Sequence, residues 1–310
     1  MQFAIETFNL TKNFGQLIAV EGINIAVEGG SVFGFLGPNG AGKTTTVRLL
    51  NGLLKPSGGS ARVLGMDIQQ ESDFIRAKCG VQTDTNLYEK LTARENLEIW
   101  GMLYGLKGNE LTSRMNALLE MFGLAERRDD LVGTFSKGMK QKLSIARELI
   151  HDPEILFLDE PTAGLDPEAA EELLQYLKRF VENKRRTIFL CSHRLEEVEF
   201  LCDSIAIIFK GKILITGKIE ELINNLWKEN WFTIRLEKIS QEFISTLKNQ
   251  KYISDVAVSD QKIMVALPDE KDISRAISTL VGLNANIFEV HRDRHSLKDI
   301  YFSVIPQDKK

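Results

Sequence analysis

The sequence predicts an α/β protein whose main domain is a parallel sheet with helices on both faces. Four near-continuous apolar segments indicate buried parallel strands, which lack the polar alternation of half-exposed strands: 31–36, 154–159, 187–191 and 205–209. Helical patterns separate them, and the repeated strand–helix–strand order is typical of a doubly wound sheet. A mainly helical stretch interrupts this order, so we expect a helical insertion at about residues 88–150.

Length and composition limit the number of domains, the kinds of partner and the compartment that we expect. The chain has 310 residues and a formal net charge of -4, with 43% hydrophobic and 26% charged residues. This size suggests two domains, which we place at 1–218 and 219–310. No basic excess supports a nucleic-acid partner. Three scattered cysteines without metal-type spacing indicate reduced thiols in a cytoplasmic protein. No apolar run is long enough to span a bilayer, so any membrane contact is expected to come through a partner.

The N-terminal segment shows roughly alternating apolar residues from Phe3 to Val27, which predicts an antiparallel edge sheet. Phe14 lies within it. An exposed aromatic ring upstream of a phosphate site can stack on a nucleotide base, and such stacking contributes on the order of 1–3 kcal/mol. An ordinary sheet-packing role explains the spacing of Phe14 equally well, so both interpretations stay open at this point.

The strand at 31–36 leads into a glycine-rich loop that matches the phosphate-loop pattern G-x-x-x-x-G-K-[ST]: Gly37, Pro38, Asn39, Gly40, Ala41, Gly42, Lys43, Thr44 and Thr45. Its glycines let successive N–H groups face an anion. Lys43 can reach the β- and γ-phosphates, and the Thr44 hydroxyl can bind Mg²⁺. A helix predicted at 44–50 directs its N-terminus at the same anion. The loop therefore predicts a P-loop NTPase core that binds a nucleoside triphosphate.

The middle of the chain carries the helical insertion. A strand predicted at 79–84 precedes it and ends in polar residues. Thr92 and Glu95 have capping-box spacing, so a helix is expected to begin there and run through Trp100. Further helices are predicted at 111–122 and 137–150.

A second set of polar residues follows the strand at 154–159. Asp159 ends that strand beside the phosphate loop, where a carboxylate can hold Mg²⁺. Glu160 comes next and can orient and deprotonate an attacking water, which is typically worth about 10²–10⁴ in rate. Asp166 precedes Pro167, as an N-cap residue precedes a helix.

The last third of the chain has a different pattern. Strands are predicted at 231–236, 255–258, 263–267 and 285–290, with helices at 241–249 and 271–281. The order β-α-β-β-α-β predicts a small α+β ferredoxin-like domain. Its charged residues are interpreted as a solvated surface, without a catalytic constellation.

Taken together, five segments carry a family resemblance: the phosphate loop, 135–141 (FSKGMKQ), 158–161 (LDEP), 163–166 (AGLD), and 192–193 (SH). In this order and spacing, the chain resembles the ATP-binding subunit of an ABC transporter over about residues 1–220. The resemblance implies that two nucleotide-binding domains sandwich two ATP molecules. Each ATP would lie between the phosphate loop of one subunit and the signature motif of the other.

The resemblance also implies roles for single residues. Ser136 and Gly138 would bind the γ-phosphate held by the opposite subunit, although Ser136 also fits a plain helix N-cap. Asp166 would lie in the loop that crosses the dimer interface. His193 would contact the γ-phosphate and the water, as a switch histidine. Phe14 matches the adenine-stacking aromatic.

Two departures from the family pattern stand out. The usual signature Leu-Ser-Gly-Gly-Gln is here Phe-Ser-Lys-Gly-Met, with Lys137 at the third position. The glutamine that helps to bind Mg²⁺ has no clear counterpart, because Asp84 occupies its position when counted from Gly80 and the nearby glutamine is Gln82. Either Gln82 or Asp84 would then complete the metal site.

The resemblance implies an ATPase that uses ATP and Mg²⁺, dimerises with a second copy of itself, and powers a separate transmembrane permease at the cytoplasmic face of the cell membrane. The Ser-Lys-Gly-Met variant and the ending at 296–301 (SLKDIY) resemble the export branch. The alternative is a soluble ABC-type regulatory ATPase that acts on ribosomes or nucleic acid. The single nucleotide-binding half and the absence of a long coiled coil favour transport.

Overall fold

The computed structural model describes residues 3–83, 87–184, 186–260, 262–293 and 295–306. The described residues form two compact units: the first runs to Ile219 and includes 304–306, and the second runs from Glu220 to Ser303. Within the described ranges, no helix has the length and apolar composition that crossing a membrane requires.

An antiparallel sheet opens the first unit and confirms the predicted edge sheet. Its strands are β1 (Phe3–Phe14), β2 (Leu17–Ile23), β3 (Ala26–Glu28), β5 (Gly58–Val63) and β6 (Met66–Asp67). The order is β2-β1-β5-β6, and β3 also pairs with β1. The pairing of β1 with β2 ends at Phe14 opposite Leu17, which places the Phe14 ring at a turn of the sheet.

The central sheet carries the site. It consists of β4 (Val32–Leu36), β7 (Cys79–Gln82), β8 (Ile155–Asp159), β9 (Thr187–Ser192), β10 (Ser204–Phe209) and β11 (Lys212–Lys218), in the order β11-β10-β4-β9-β8-β7. All neighbouring pairs are parallel except β10 with β11. The predicted parallel sheet is thus confirmed, and its carboxyl edge brings together the ends of β4, β8 and β9.

Aromatic packing holds these strands in register. Phe189 of β9 is fully buried, and its ring centre lies 5.5 Å from Phe33, 5.3 Å from Phe35 and 5.5 Å from Phe157. Aromatic pairs at such distances stabilise a core by about 0.5–1.5 kcal/mol each beyond the area they bury. The cluster therefore joins β4, β8 and β9, the three strands whose ends carry the polar residues.

The helices of the first unit are α1 (Lys43–Leu50), α2 (Ser72–Lys78), α3 (Ala93–Leu103), α4 (Gly108–Met121), α5 (Lys137–Glu148), α6 (Pro167–Lys184) and α7 (Leu195–Leu201). Helices α3, α4 and α5 form the insertion between β7 and β8. The predicted capping box is confirmed at α3, because the Glu95 N–H donates to Thr92 Oγ1 at 3.1 Å and the Thr92 N–H donates to Glu95 Oε2 at 2.7 Å.

The second unit contains the strands β12 (Asn230–Leu236), β13 (Asp255–Ser259), β14 (Lys262–Leu267) and β15 (Ile287–Asp293), with helices α9 (Gln241–Lys248) and α10 (Ile273–Gly282). Helix α8 (Ile219–Leu226) begins at the first boundary of this unit, and helix α11 (Leu297–Val304) ends at the second. The antiparallel order β13-β14-β12-β15 and the β-α-β-β-α-β sequence of elements confirm the ferredoxin-like prediction.

The last strand differs from its prediction. It begins at Ile287 rather than at Ala285, because Asn284 adopts the left-handed conformation (φ 61°) and the Ala285 N–H donates to Leu280 O at 3.0 Å. These residues therefore close the end of α10 before the chain becomes extended.

Candidate nucleotide-binding site

The loop between β4 and α1 has a backbone that only glycine allows at two positions. A Cβ atom at Gly37 would lie 2.3 Å from Ile208 O, and one at Gly42 would lie 2.4 Å from Ala19 O. Gly42 also has φ 113°, outside the range of other residues. The loop therefore presents backbone groups at the N-terminus of α1, as an anion-binding loop must.

Lys43 is the first residue of α1 and is 6% exposed. Its Nζ atom donates to Gly37 O at 2.7 Å and to Pro38 O at 3.4 Å, so the side chain lies back across the loop. The same Nζ lies 3.3 Å from Glu160 Oε1. A buried ammonium held over a phosphate loop is suited to binding the β- and γ-phosphates.

Thr44 and Asp159 form a pair across the carboxyl edge of the sheet. The Thr44 hydroxyl donates to Asp159 Oδ2 at 2.5 Å, although the residues are 115 positions apart. Burial raises the pKa of Asp159, and the hydrogen bond from Thr44 opposes that rise. A hydroxyl and a carboxylate are hard oxygen ligands, which Mg²⁺ prefers, and it is usually held by one or two protein carboxylates together with substrate phosphates. The residues present therefore fit this ion.

Glu160 and His193 form the second pair. Glu160 adopts a left-handed conformation with φ 52°, and its N–H donates to Cys191 O at 2.9 Å. His193 Nδ1 lies 2.8 Å from Glu160 Oε1. A non-glycine residue in this conformation costs about 1 kcal/mol or more, and such strain clusters at functional sites. The turn directs the Glu160 carboxylate towards Lys43 and His193.

Lys43, Thr44, Asp159 and Glu160 line a cleft of about 560 Å³, whereas His193 is not among the described residues that line it. The lining also includes Phe14, which is 48% exposed, with Lys12 Nζ 5.1 Å from the centre of its ring. The ring is therefore exposed at the cleft, and its role in stacking stays a prediction.

Several lining residues were missed by sequence analysis. Ala19 of β2 and the turn at Lys210 and Gly211 also line the cleft. The Gly211 N–H donates to Ala41 O at 3.0 Å, so the turn between β10 and β11 is hydrogen-bonded to the phosphate loop. This hydrogen bond joins two backbone groups, and a sequence pattern carries no signal for it.

The signature residues lie elsewhere in the chain. Ser136 is the N-cap of α5, with its Oγ accepting from the Met139 N–H at 3.2 Å. Asp166 Oδ1 accepts from the Ala169 N–H at 2.9 Å, at the start of α6. The side chain of Lys137 lies against Gly164. Within the described chain, the cleft is lined without any contribution from Ser136, Gly138 or Asp166.

The predicted glutamine position is only partly described. Gln82 is the last residue of β7 and is 2% exposed, and Thr83 after it lines the cleft. Asp84 lies outside the described residues, so the choice between Gln82 and Asp84 stays a prediction.

A phosphate loop, an oxygen pair suited to Mg²⁺, and a glutamate–histidine pair at one sheet edge define a phosphate-loop ATPase. Comparison with known proteins narrows this class. The ABC transporter family model matches residues 20–163. The linearmycin resistance ATP-binding protein LnrL of Bacillus subtilis (strain 168) is 33% identical over 304 residues, which are 97% of each chain. The chain therefore belongs to the ABC transporter ATP-binding proteins.

Another relative and a solved structure support the same family. The bacitracin transport ATP-binding protein BcrA of Bacillus licheniformis is 35% identical over 308 residues, 98% of each chain. The structure of cbiO1 from Clostridium perfringens, part of the cbiONQ transporter complex, matches with a TM-score of 0.65 and 27% identity over 70% of this chain and 89% of that one.

A dimeric ATP-binding cassette in a post-hydrolysis state with ADP and Pi matches with a TM-score of 0.63 and 26% identity over 69% of this chain and 98% of that one. The predicted P-loop NTPase core is thus confirmed. The chain is an ATP-binding and ATP-hydrolysing subunit of an ABC transporter, and the alternative of a regulatory ATPase acting on ribosomes or nucleic acid is not favoured.

Proposed function

We propose that this chain powers an exporter by closing on ATP as a homodimer and reopening after hydrolysis. The observation that carries the proposal is the separation of Ser136 and Gly138 from the cleft that contains Lys43 and Glu160. One chain supplies both halves of a phosphate site but does not bring them together. Two copies related by a twofold axis would complete two equivalent sites, since an isologous interface pairs each half with its counterpart.

The assignment to export draws on the names of relatives. They include proteins named for linearmycin resistance and bacitracin transport, and a daunorubicin/doxorubicin resistance protein of Streptomyces peucetius that is 40% identical over 224 residues, 72% of this chain and 68% of that protein. We infer that the cargo is a small molecule of the antibiotic kind and that a separate transmembrane permease binds it. The chain would then sit at the cytoplasmic face of the membrane through that permease.

Each residue of the cleft has a role in this proposal. Phe14 stacks on the adenine ring, and the loop from Gly37 to Thr45 with Lys43 binds the phosphates. Thr44 and Asp159, with Gln82 or Asp84, are the residues that would hold Mg²⁺, which when bound neutralises charge on the transferred phosphoryl group.

Glu160 and His193 catalyse the hydrolytic step in this proposal. Glu160 orients the attacking water and accepts its proton, and His193 holds the Glu160 carboxylate and contacts the γ-phosphate. Ser136, Gly138 and Asp166 of the second copy would close over the nucleotide. Residues 1–218 form the ATP-binding domain in this proposal, with the helical subdomain at about 88–150, and 219–310 form an accessory domain.

The experiment that tests the proposal is purification of the tagged full-length chain from detergent-solubilised membranes of its host, followed by identification of co-purifying proteins. An untagged strain is the control. We expect a protein with several membrane-spanning helices to be recovered in stoichiometric amount. Recovery with ribosomes or nucleic acid, and without any membrane protein, would overturn the transport proposal.

A further inference from the structure

A buried carboxylate joins the two loops that carry Glu160 and His193. Glu197 lies in α7, where it is 6% exposed, and its Oε1 accepts from the Thr162 hydroxyl at 2.5 Å. The same oxygen accepts from Arg194 Nη1 at 2.9 Å. Thr162 stands two residues after Glu160, and Arg194 stands one residue after His193. One carboxylate oxygen therefore contacts both loops.

From this geometry we propose that Glu197 is a positioning residue for ATP hydrolysis, an inference that rests on the proposed roles of Glu160 and His193. By holding Thr162 and Arg194 together, it keeps the 2.8 Å contact between His193 Nδ1 and Glu160 Oε1. Misplacement of a reacting group by about 1 Å can cost 10²-fold in rate, so a small movement of either loop would slow hydrolysis.

The surrounding hydrogen bonds connect Glu197 to the turns that contain Glu160 and His193. The Ala163 N–H donates to Glu160 O at 3.0 Å, so Thr162 lies within the tight turn that Glu160 begins. On the other loop, the Arg194 N–H donates to Ser192 Oγ at 3.0 Å, which closes the turn around His193. Each loop is thus a short turn with one attachment to Glu197.

Stability alone is a poor explanation for this residue. Among the described residues, Glu197 Oε2 is buried without a hydrogen-bond partner. Leaving a buried polar atom unpaired costs folding free energy. A carboxylate retained at that cost is better explained by the two contacts that its other oxygen makes. Thr162 is 1% exposed, so no water can substitute for the carboxylate on its hydroxyl without entering the core.

The test is steady-state ATP hydrolysis by the full-length chain and its variants, with KM for ATP and ATP affinity measured alongside kcat. Glu197→Ala is expected to lower kcat by about 10-fold or more while KM and affinity change by less than about twofold, because the phosphate loop is untouched. Glu197→Gln keeps an oxygen that accepts from Thr162 and Arg194, so its kcat should lie closer to wild type. Glu196→Ala is the matched control, since Glu196 is the exposed neighbour on α7.

A second pair of variants keeps the test valid if the Glu197 variants fold poorly. Thr162→Val removes the hydroxyl with little change of shape and should lower kcat like Glu197→Ala, whereas Thr162→Ser should restore it. A near-wild-type kcat in Glu197→Ala or in Thr162→Val, or an increase in KM with kcat unchanged, would overturn the inference.

Glu160→Gln, measured in parallel, separates this inference from the proposed function. If Glu160→Gln is inactive and Glu197→Ala is fully active, only the role of Glu197 fails. If Glu160→Gln hydrolyses ATP normally, the proposed role of Glu160 fails, and the inference about Glu197 that rests on it fails too.

Discussion

Glu160 Oε1 lies between two cationic or proton-bearing side chains, 2.8 Å from His193 Nδ1 and 3.3 Å from Lys43 Nζ. The carboxylate therefore contacts both side chains. When a γ-phosphate enters, Lys43 is expected to leave Glu160 for the phosphate, since an ammonium binds a dianionic group more strongly than a single carboxylate. The Glu160 carboxylate would then be available to the water while His193 still orients it.

The first prediction concerns His193. Replacing it by alanine removes the group that orients Glu160, so kcat for ATP hydrolysis should fall by about 10²-fold or more. ATP affinity should fall much less than kcat, because Lys43 and the phosphate loop are intact. His291→Ala is a suitable control, since His291 of β15 has a similarly exposed side chain. Equal turnover in the His193 and His291 variants would contradict the prediction.

The second prediction separates stability from activity at Asp159. Burial raises the pKa of this carboxyl in the folded chain, so its ionisation at neutral pH opposes folding. The penalty is complete above the folded-state pKa and disappears as the pH falls from there to the lower pKa of the unfolded chain. Asp159→Asn should therefore keep or raise the nucleotide-free Tm while it abolishes Mg²⁺-dependent hydrolysis.

Thermal unfolding at pH 7, with hydrolysis measured over a range of Mg²⁺ concentrations, checks the prediction for Asp159. Asn can still accept the hydrogen bond from Thr44, so loss of that contact cannot explain the result. A lower Tm combined with normal activity would show that the carboxylate is structural.

The third prediction concerns base stacking at Phe14. Phe14→Ala should weaken ATP binding by about 1–3 kcal/mol, and Phe14→Trp should retain it. Phe8→Ala is the matched control, because Phe8 lies in the same strand at 46% exposure and does not line the cleft. Titration with ATP by calorimetry measures the difference. Unchanged affinity in Phe14→Ala would favour the sheet-packing interpretation.

The fourth prediction is a dependence of stability on pH. Burial lowers the pKa of His151 to about 4, from an ordinary value of 6.5. The unfolded chain therefore binds a proton that the folded chain rejects, so the free energy of unfolding should fall as the pH drops from 6.5 towards 4. His151 also stacks on Tyr104 with ring centres 3.7 Å apart.

His151→Phe keeps an aromatic ring on Tyr104 and removes the titrating group. Urea unfolding at pH 7 and pH 5 should show a smaller loss of stability on acidification than in the wild-type chain. The half-exposed His291, replaced by Phe, serves as a control for the loss of a histidine. An equal acid-induced loss in wild type and His151→Phe would argue against the buried, neutral ring.

Much of the fold followed from local patterns. The buried apolar runs predicted β4, β8, β9 and β10 to within two residues, because strands covered on both faces tolerate few polar side chains. Thr92 and Glu95 predicted the start of α3 through their capping box. Strand β11 was missed because its apolar run at 213–215 is short and none of its side chains is fully buried.

The site was predictable where side-chain chemistry has a fixed spacing and not where it depends on approach in three dimensions. The phosphate loop, Asp159, Glu160 and His193 all lie at the predicted sheet edge. Glu197 was not predicted, because a glutamate in the first turn of a helix is ordinary. The proposal for Glu197 depends on finding Thr162 and Arg194 on the same carboxylate oxygen in three dimensions.

The central claim is that two copies close on ATP and that Glu160 then cleaves it. The most direct measurement is the molar mass of Glu160→Gln in solution with saturating Mg²⁺ and ATP, together with its turnover. We predict a dimer that retains ATP and hydrolyses it about 10²-fold or more slowly than wild type. Adding Ser136→Phe to this variant should return it to a monomer, since Ser136 would face the nucleotide of the other copy. A Glu160→Gln chain that stays monomeric, or turns over at the wild-type rate, would contradict the account.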